Sequence, residues 1–216
     1  SYSLNKNIGK LNMVLPEWIF QKDSKGNLEI QVDTITLNLL RKNNIAVLPM
    51  LTNNYNNQWN GDTTFLLLKN SSVRKSLIDN LLNILDKYKF QGINIDLESL
   101  PADAYPYLIT FSEELYAALH PAGYLTTVDV DPNDKNISFE KLAKFYDLIF
   151  LMTYDEHYPE GDPGSISSIG FIEKSLDYAL KDIPSGKFVL CVAGYGYDWA
   201  EGKTGSDITY TDLVSL

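Results

Sequence analysis

Residues 91 to 98 of this 216-residue chain read Gln-Gly-Ile-Asn-Ile-Asp-Leu-Glu. Polar Asn94, Asp96 and Glu98 alternate with apolar Ile93, Ile95 and Leu97, which is the two-residue period of an extended strand. On a strand that period sets the three polar side chains on one side, about 6.6 Å apart. Burying two carboxylates costs several kcal/mol unless they are paired or hydrogen-bonded, so a core strand that keeps both points to acid–base work. The plain alternative is an edge strand with one wet face. Helical runs on either side argue instead for a central, parallel strand. A glutamate partly desolvated beside another carboxylate keeps its proton to higher pH, as a general acid near neutrality must. Asp96 is close enough along the strand to influence that proton. Cleavage of a glycosidic bond needs such an acid for the leaving oxygen and a second group for the developing positive charge.

The elements that would carry these residues alternate along the chain. Strand candidates fall at 11–18, 45–51, 92–98, 125–130, 147–154 and 187–194, and helix candidates at 33–41, 72–88, 102–120, 138–145 and 169–181. In the second helix Val73, Leu77, Ile78, Leu81, Leu82, Ile84 and Leu85 recur near the helical period. Ser138 is a candidate N-cap for the fourth. Strands alternating with helices imply right-handed crossovers and a parallel sheet. Periodicity alone leaves open whether that sheet is doubly wound or most of a closed barrel. No Gly-x-Gly-x-x-Gly follows the first strand, which weakens the dinucleotide-binding version. Polar or aromatic residues gather where successive strands end: Glu17 and Trp18, Asn53 and Asn54, Asp96 and Glu98, Asp129 and Asp131, Tyr154 and Asp155, Tyr195 and Tyr197. Barrel enzymes place their chemistry at that rim, so a (β/α)8 TIM barrel of the α/β class is the expected fold, with residues 1–216 as one domain.

The totals narrow the function. A net charge of −10 argues against nucleic acid or an anionic membrane as the main partner. The single cysteine, Cys191, sits in an apolar run and reads as a buried, inert thiol; it excludes an internal disulfide and a thiolate metal cluster. With only His120 and His157, a multi-histidine metal centre is not expected, and neither a metal nor a cofactor is assigned. No stretch is long and apolar enough to span a bilayer as a helix. His157 reads as a solvated loop residue, and the run Asn53-Asn54-Tyr55-Asn56-Asn57 reads equally as a sugar-binding rim or a plain polar loop.

The octet resembles the Asp-x-x-Asp-x-Asp-x-Glu signature on the fourth barrel strand of family 18 glycoside hydrolases, the chitinase-like enzymes. Met152-Thr153-Tyr154-Asp155 is similar to that family's Met-x-Tyr-Asp on the sixth strand, and the segment from Lys187 to Tyr197 is similar to its seventh. The run from Tyr154 to Tyr158, with Asp162-Pro163-Gly164 and Gly194 to Trp199, resembles a bacterial branch in which such a domain is fused to a polysaccharide deacetylase and a glycosyltransferase. Spore-cortex lytic enzymes are the next likeness. The resemblance implies a retaining mechanism in which the substrate's own 2-acetamido group is the nucleophile. It makes Glu98 the acid and later the base, Asp96 the holder of the acetamido group, and Tyr154 a hydrogen-bond donor to the acetamido carbonyl. It implies that Asp155 orders the sugar and that Asn94 sits beneath Asp96. Apart from the resemblance, Trp18, Tyr195, Tyr197 and Trp199 are candidate stacking surfaces, since an aromatic face matches the apolar face of a pyranose, and each reads also as a core or rim residue.

Two departures stand out. The first two acids of the signature are Gln91 and Asn94 here. Gln91 is expected to be structural. Asn94 replaces an acid that shares a proton with the Asp96 position, so the pH tuning is expected to differ. The family barrel has eight strands, and the six candidates correspond to its second through seventh. The resemblance therefore implies a partial barrel, part of a longer multidomain polypeptide, extracellular or at the cell surface. Its partner is expected to be an oligo- or polysaccharide containing N-acetylglucosamine. A non-catalytic carbohydrate-binding domain on the same barrel is the alternative; a metal-dependent hydrolase or aldolase-like barrel fits less well, lacking further histidines or a strand-end lysine.

Overall fold

The computed structural model describes residues 2–201 and 203–215. Its short apolar runs assemble into one seven-stranded sheet: β1 (Glu17–Gln21), β2 (Leu28–Ile30), β3 (Met50–Thr52), β4 (Gly92–Asp96), β5 (Leu125–Val130), β6 (Leu148–Met152) and β7 (Phe188–Cys191). The spatial order is β7-β6-β5-β4-β3-β1-β2. Six strands run parallel, joined by helical crossovers, and β2 returns antiparallel beside β1. Among the described residues the sheet is open, with β7 at one edge and β2 at the other. None of the described helices is long and apolar enough to cross a membrane.

Register decides which side chains meet. Asn94 lies beside Met50 and Thr127, and Asp96 beside Thr52. The period of two then assigns Asn94, Asp96, Thr127 and Asp129 to the concave face. Ile93, Ile95, Val128, Ile149 and Leu151 point the other way and are at most 4 % exposed. They enter one core with Leu81, Leu85, Phe111 and Leu115 from the helices Ser71–Tyr88 and Tyr105–Leu119. Each large side chain buried there contributes about 1.5–3 kcal/mol by removing apolar surface from water. The core thus sits between strands and helices, which leaves the concave face free to be polar.

The helices follow their sequence signals closely. Asp33 caps Thr34–Lys42 by accepting from the Ile35 and Thr36 N–H groups, and Asn70 caps Ser71–Tyr88 in the same way. Ser138 holds the N-cap position of Phe139–Phe145, but its side chain makes no capping hydrogen bond.

The strands differ more from expectation. The segment 11–18 yields only a Met13–Val14 bridge before Pro16, and the sheet strand is Glu17–Gln21. The segment 45–51 divides at Pro49 into Ala46–Val47 and Met50–Thr52. Proline has no N–H to give to a ladder, which explains both breaks. The 92–98 strand stops at Asp96, two residues before Glu98. The helix Gly61–Lys69 and three hairpin pairings went unread in the sequence. One of them joins Asn54–Tyr55 to Gln58–Trp59 through Asn56 and Asn57, both at positive φ (56° and 58°), as a two-residue primed turn requires.

Candidate active site

Asp96 ends β4 on the concave face and is only 6 % exposed. Glu98, half-buried, follows it in irregular backbone before Ser99, whose φ is +55°. The two carboxyls influence each other's protons, and Thr52 lies beside Asp96 in register. Burial first, then the charge of Asp96 and the hydrogen bond with it, then Asp131 and Asp129, push Glu98 up to about 8. Burial pushes Asp96 to about 6, opposed by its hydrogen bonds to Thr52 and Glu98 and assisted by the charge of Glu17. Of the pair, Glu98 is therefore the group that keeps its proton to higher pH. Among the described residues, Oδ1 of Asp96 has no hydrogen-bond partner. A small cavity of about 70 Å³ opens beside Glu98, with Leu97, Tyr105, Asp129 and Asp131 among its walls.

Asn94 lies two residues before Asp96 on the same face of β4, and its side chain is held by the neighbouring strand. Its Oδ1 accepts from Thr127 Oγ1 at 2.6 Å, which turns Nδ2 outward to donate to Asp129 Oδ2 at 2.5 Å. Asp129 is therefore a third carboxyl at the site, half-buried and pushed to about 7 by burial and the charge of Asp96 against the Asn94 hydrogen bond. The sequence marked Asp129 only as a polar strand end; nothing there indicated that it faces Asn94 on the next strand. Cys191, half-buried on β7, has its thiol pushed up to about 12 by burial and by Asp129, consistent with an inert group.

Tyr154 follows β6 and is half-buried. Burial first, then Cys191, Asp129, Asp96 and Glu98, raise its phenol well above the usual range. Its hydroxyl keeps its proton at any working pH and remains a donor within electrostatic reach of Asp129, Asp96 and Glu98. The ring meets Tyr195 edge-on, with centroids 6.0 Å apart. Asp155 adopts φ +55° and accepts from both Tyr195 and Tyr197 hydroxyls at 2.8 Å. These three residues, each a separate sugar-binding candidate in the sequence, form one clamped group on the loop after β6 and on the Tyr195–Asp198 hairpin strand.

Trp18 must be corrected. It is 8 % exposed and packs on Phe90, with ring centroids 6.0 Å apart, within the core. The register shifts between Glu17 and Ile19, so the tryptophan turns away from the concave face. Gln91 is structural as expected: its Oε1 accepts from the Val47 N–H at 2.8 Å and its Nε2 donates to the Lys89 carbonyl. His157 is tied to the Ser165 carbonyl at 2.8 Å, so its loop is a folded turn. Asn53, read as rim or loop, is fully buried and holds the backbone of Glu98.

Comparison with known proteins agrees with this geometry. The model of glycosyl hydrolases family 18 matches residues 22–213. The chain is 30 % identical over 212 residues to the uncharacterized glycosylase YvbX of Bacillus subtilis, covering 91 % of this chain and 61 % of that protein. It is 27 % identical over 190 residues to the cortical fragment-lytic enzyme of Bacillus anthracis, covering 83 % of this chain and 44 % of that enzyme. It therefore spans roughly half the length of these relatives. A chitinase from Chromobacterium violaceum superposes with a TM-score of 0.90 at 24 % identity, over 100 % of this chain and 71 % of that one. Its likeness shows the fold: the six parallel strands are the greater part of a TIM-barrel-like arrangement. With its sheet order and a match over nearly its whole length, the chain belongs to glycosyl hydrolases family 18.

Proposed function

We propose that this domain hydrolyses β-1,4-type bonds in glycans containing N-acetylglucosamine, with retention and with assistance from the substrate's acetamido group. The observation that supports this reading most is the placement of Asp96 and Glu98 together at the end of β4, with Glu98 held protonated to higher pH and the Tyr154 phenol near both. Glu98 gives that proton to the glycosidic oxygen as its bond to the anomeric carbon breaks. The acetamido carbonyl oxygen of the same sugar attacks that carbon and forms an oxazolinium ring. Asp96, left as the better acceptor, takes the acetamido N–H on its unpartnered Oδ1, and Tyr154 donates to the carbonyl oxygen. Water then adds to the anomeric carbon as Glu98 accepts its proton, and the bond from that carbon to the oxazolinium oxygen breaks, restoring the acetamido group. Asp155, set by Tyr195 and Tyr197, orders the sugar at the rim. The relatives' greater length supports a place for this domain in a longer, multidomain polypeptide, which we assign to the cell surface or exterior, where such glycans lie.

The test uses the full-length protein on a fluorogenic N-acetylchitobioside and on peptidoglycan. Glu98→Gln should abolish turnover on whichever substrate is cleaved while leaving oligosaccharide binding within a few-fold. Binding without turnover by the wild type on both substrates would make the domain a carbohydrate-binding module.

A further inference from the structure

The acid at position 98 lies beyond the last ladder of its strand, since β4 ends at Asp96. Irregular backbone is the least rigid place for a group that must be held to within about half an ångström. A side chain supplies what the ladder does not. The Glu98 N–H donates to Oδ1 of Asn53 at 2.9 Å, and Nδ2 of Asn53 donates to the Glu98 carbonyl at 2.9 Å. One amide thereby grips both backbone groups of one residue, as a peptide of a neighbouring strand would. Its orientation is fixed by chemistry, because an N–H can only donate and a carbonyl can only accept.

The grip is itself anchored. Asn53 is fully buried, and its Nδ2 also lies 3.1 Å from Oγ1 of Thr64, likewise fully buried. Thr64 Oγ1 pairs with Gln21 Oε1 on β1 at 3.0 Å. The Asn53 carbonyl accepts from the Asn60 N–H at 3.1 Å, just before the helix Gly61–Lys69. Gly61 abuts the next residue of the acid loop, since a Cβ there would lie 1.8 Å from the Ser99 carbonyl oxygen. Buried networks of this kind are costly to build and rigid once every member is satisfied.

We infer that Asn53, backed by Thr64 and Gln21, is the positioning residue that sets the backbone of the acid Glu98, so that its loss lowers turnover without weakening sugar binding. This rests on Glu98 being the acid of the proposed reaction. Asn53 touches no reacting atom in this scheme and acts through Glu98 alone.

The full-length protein is compared with Asn53→Ala, Asn53→Asp, Thr64→Val and Thr64→Ser. Asn53→Asp is near in shape and keeps an acceptor for the Glu98 N–H, but sets an oxygen against the Glu98 carbonyl. Both Asn53 variants should lower kcat by roughly 10²-fold with KM changed less than about threefold, the loss expected when a catalytic group shifts by about an ångström. Thr64→Val should show a smaller loss of the same kind, and Thr64→Ser, which keeps the hydroxyl, should restore it. Independently of activity, amide exchange at Glu98 should be slow in wild type and at least tenfold faster in Asn53→Ala. Unchanged kcat in both Asn53 variants, a parallel loss of sugar affinity, or unaltered Glu98 exchange would overturn the assignment. If wild type cleaves neither substrate, the glycosidase reading fails, and the exchange measurement still decides whether Asn53 holds Glu98.

Discussion

Asn94 and Asp129, on adjacent parallel strands, are joined by a 2.5 Å hydrogen bond whose direction Thr127 dictates from behind. The amide donates and the carboxyl accepts, so the pair works in one orientation only. Asn94→Asp would set two carboxyls against each other at a fully buried position and remove the donor, costing about 1–3 kcal/mol for the unsatisfied group and more above neutral pH. Asp129→Asn in the same chain restores a donor opposite an acceptor. The double variant should recover most of the lost stability in urea unfolding at pH 8. A sum of two independent losses would show that the pair is not coupled.

The acids predict a bell-shaped rate profile. Glu98 must carry its proton to act, so kcat/KM should fall as pH rises through about 8. Asp96 must be ionised to accept an N–H, so the rate should also fall below about 6. The two limbs belong to the pair as a unit, because the titration of each group depends on the other. Asp96→Asn should cut kcat by roughly 10²-fold or more, and by removing a neighbouring negative charge should move the alkaline limb to lower pH. A limb that stays in place would separate Glu98 from Asp96.

Stability should run opposite to that of a protein held by salt-bridged carboxylates. Glu98, Asp96 and Asp129 all bind protons more tightly folded than unfolded. The folded state therefore holds the extra protons between the ordinary carboxylate range and about 8. Their contribution is full below about pH 4 and is lost as pH rises to about 8. Urea midpoints should decline from pH 5 to pH 8, and Glu98→Gln, which is never charged, should flatten the decline and be the more stable protein at pH 8.

Much of this was legible because strand and helix periods write the core directly: Ile93 and Ile95 outward, Asn94 and Asp96 inward, and Val73 to Leu85 along one helix face. The acid pair, Tyr154 and Asp155 could be read for the same reason, as strand-end residues of a parallel sheet. What stayed hidden depends on contacts far apart in sequence. Asn53 meets Glu98 across 45 positions, and Asn94 meets Asp129 across 35. Trp18 ends the strand expected at 11–18, but the sheet strand runs Glu17–Gln21 after Pro16, so the tryptophan lies near its start and not at the rim. The helix Gly61–Lys69 was missed because glycine and two threonines open it, all weak helix formers.

The placement of Trp18 can be tested against its sequence reading as a stacking surface. As a core residue packed on Phe90, it should respond to Trp18→Ala with a loss of about 3–5 kcal/mol. Trp18→Phe, which keeps an aromatic ring in the core, should cost much less and leave KM for chito-oligosaccharides unchanged. A raised KM with unchanged unfolding midpoint in Trp18→Phe would return the residue to the cleft.

Two glycines at the starts of helices offer a paired test of how tightly the acid loop is seated. Gly170 has nothing within 4 Å of a built Cβ, whereas at Gly61 that atom would lie 1.8 Å from the Ser99 carbonyl oxygen and 2.5 Å from its carbon. Both are helical, so alanine improves the intrinsic propensity of each by up to about 1 kcal/mol. Gly170→Ala should therefore be neutral or slightly stabilising. Gly61→Ala must displace backbone rather than a flexible side chain, and Ser99 directly follows the acid. It should lower stability by about 1–3 kcal/mol and, at temperatures where the variant remains folded, reduce kcat more than KM. Equal behaviour of the two variants in thermal unfolding would show that the loop after Glu98 yields freely, contrary to the close packing of Gly61 against Ser99.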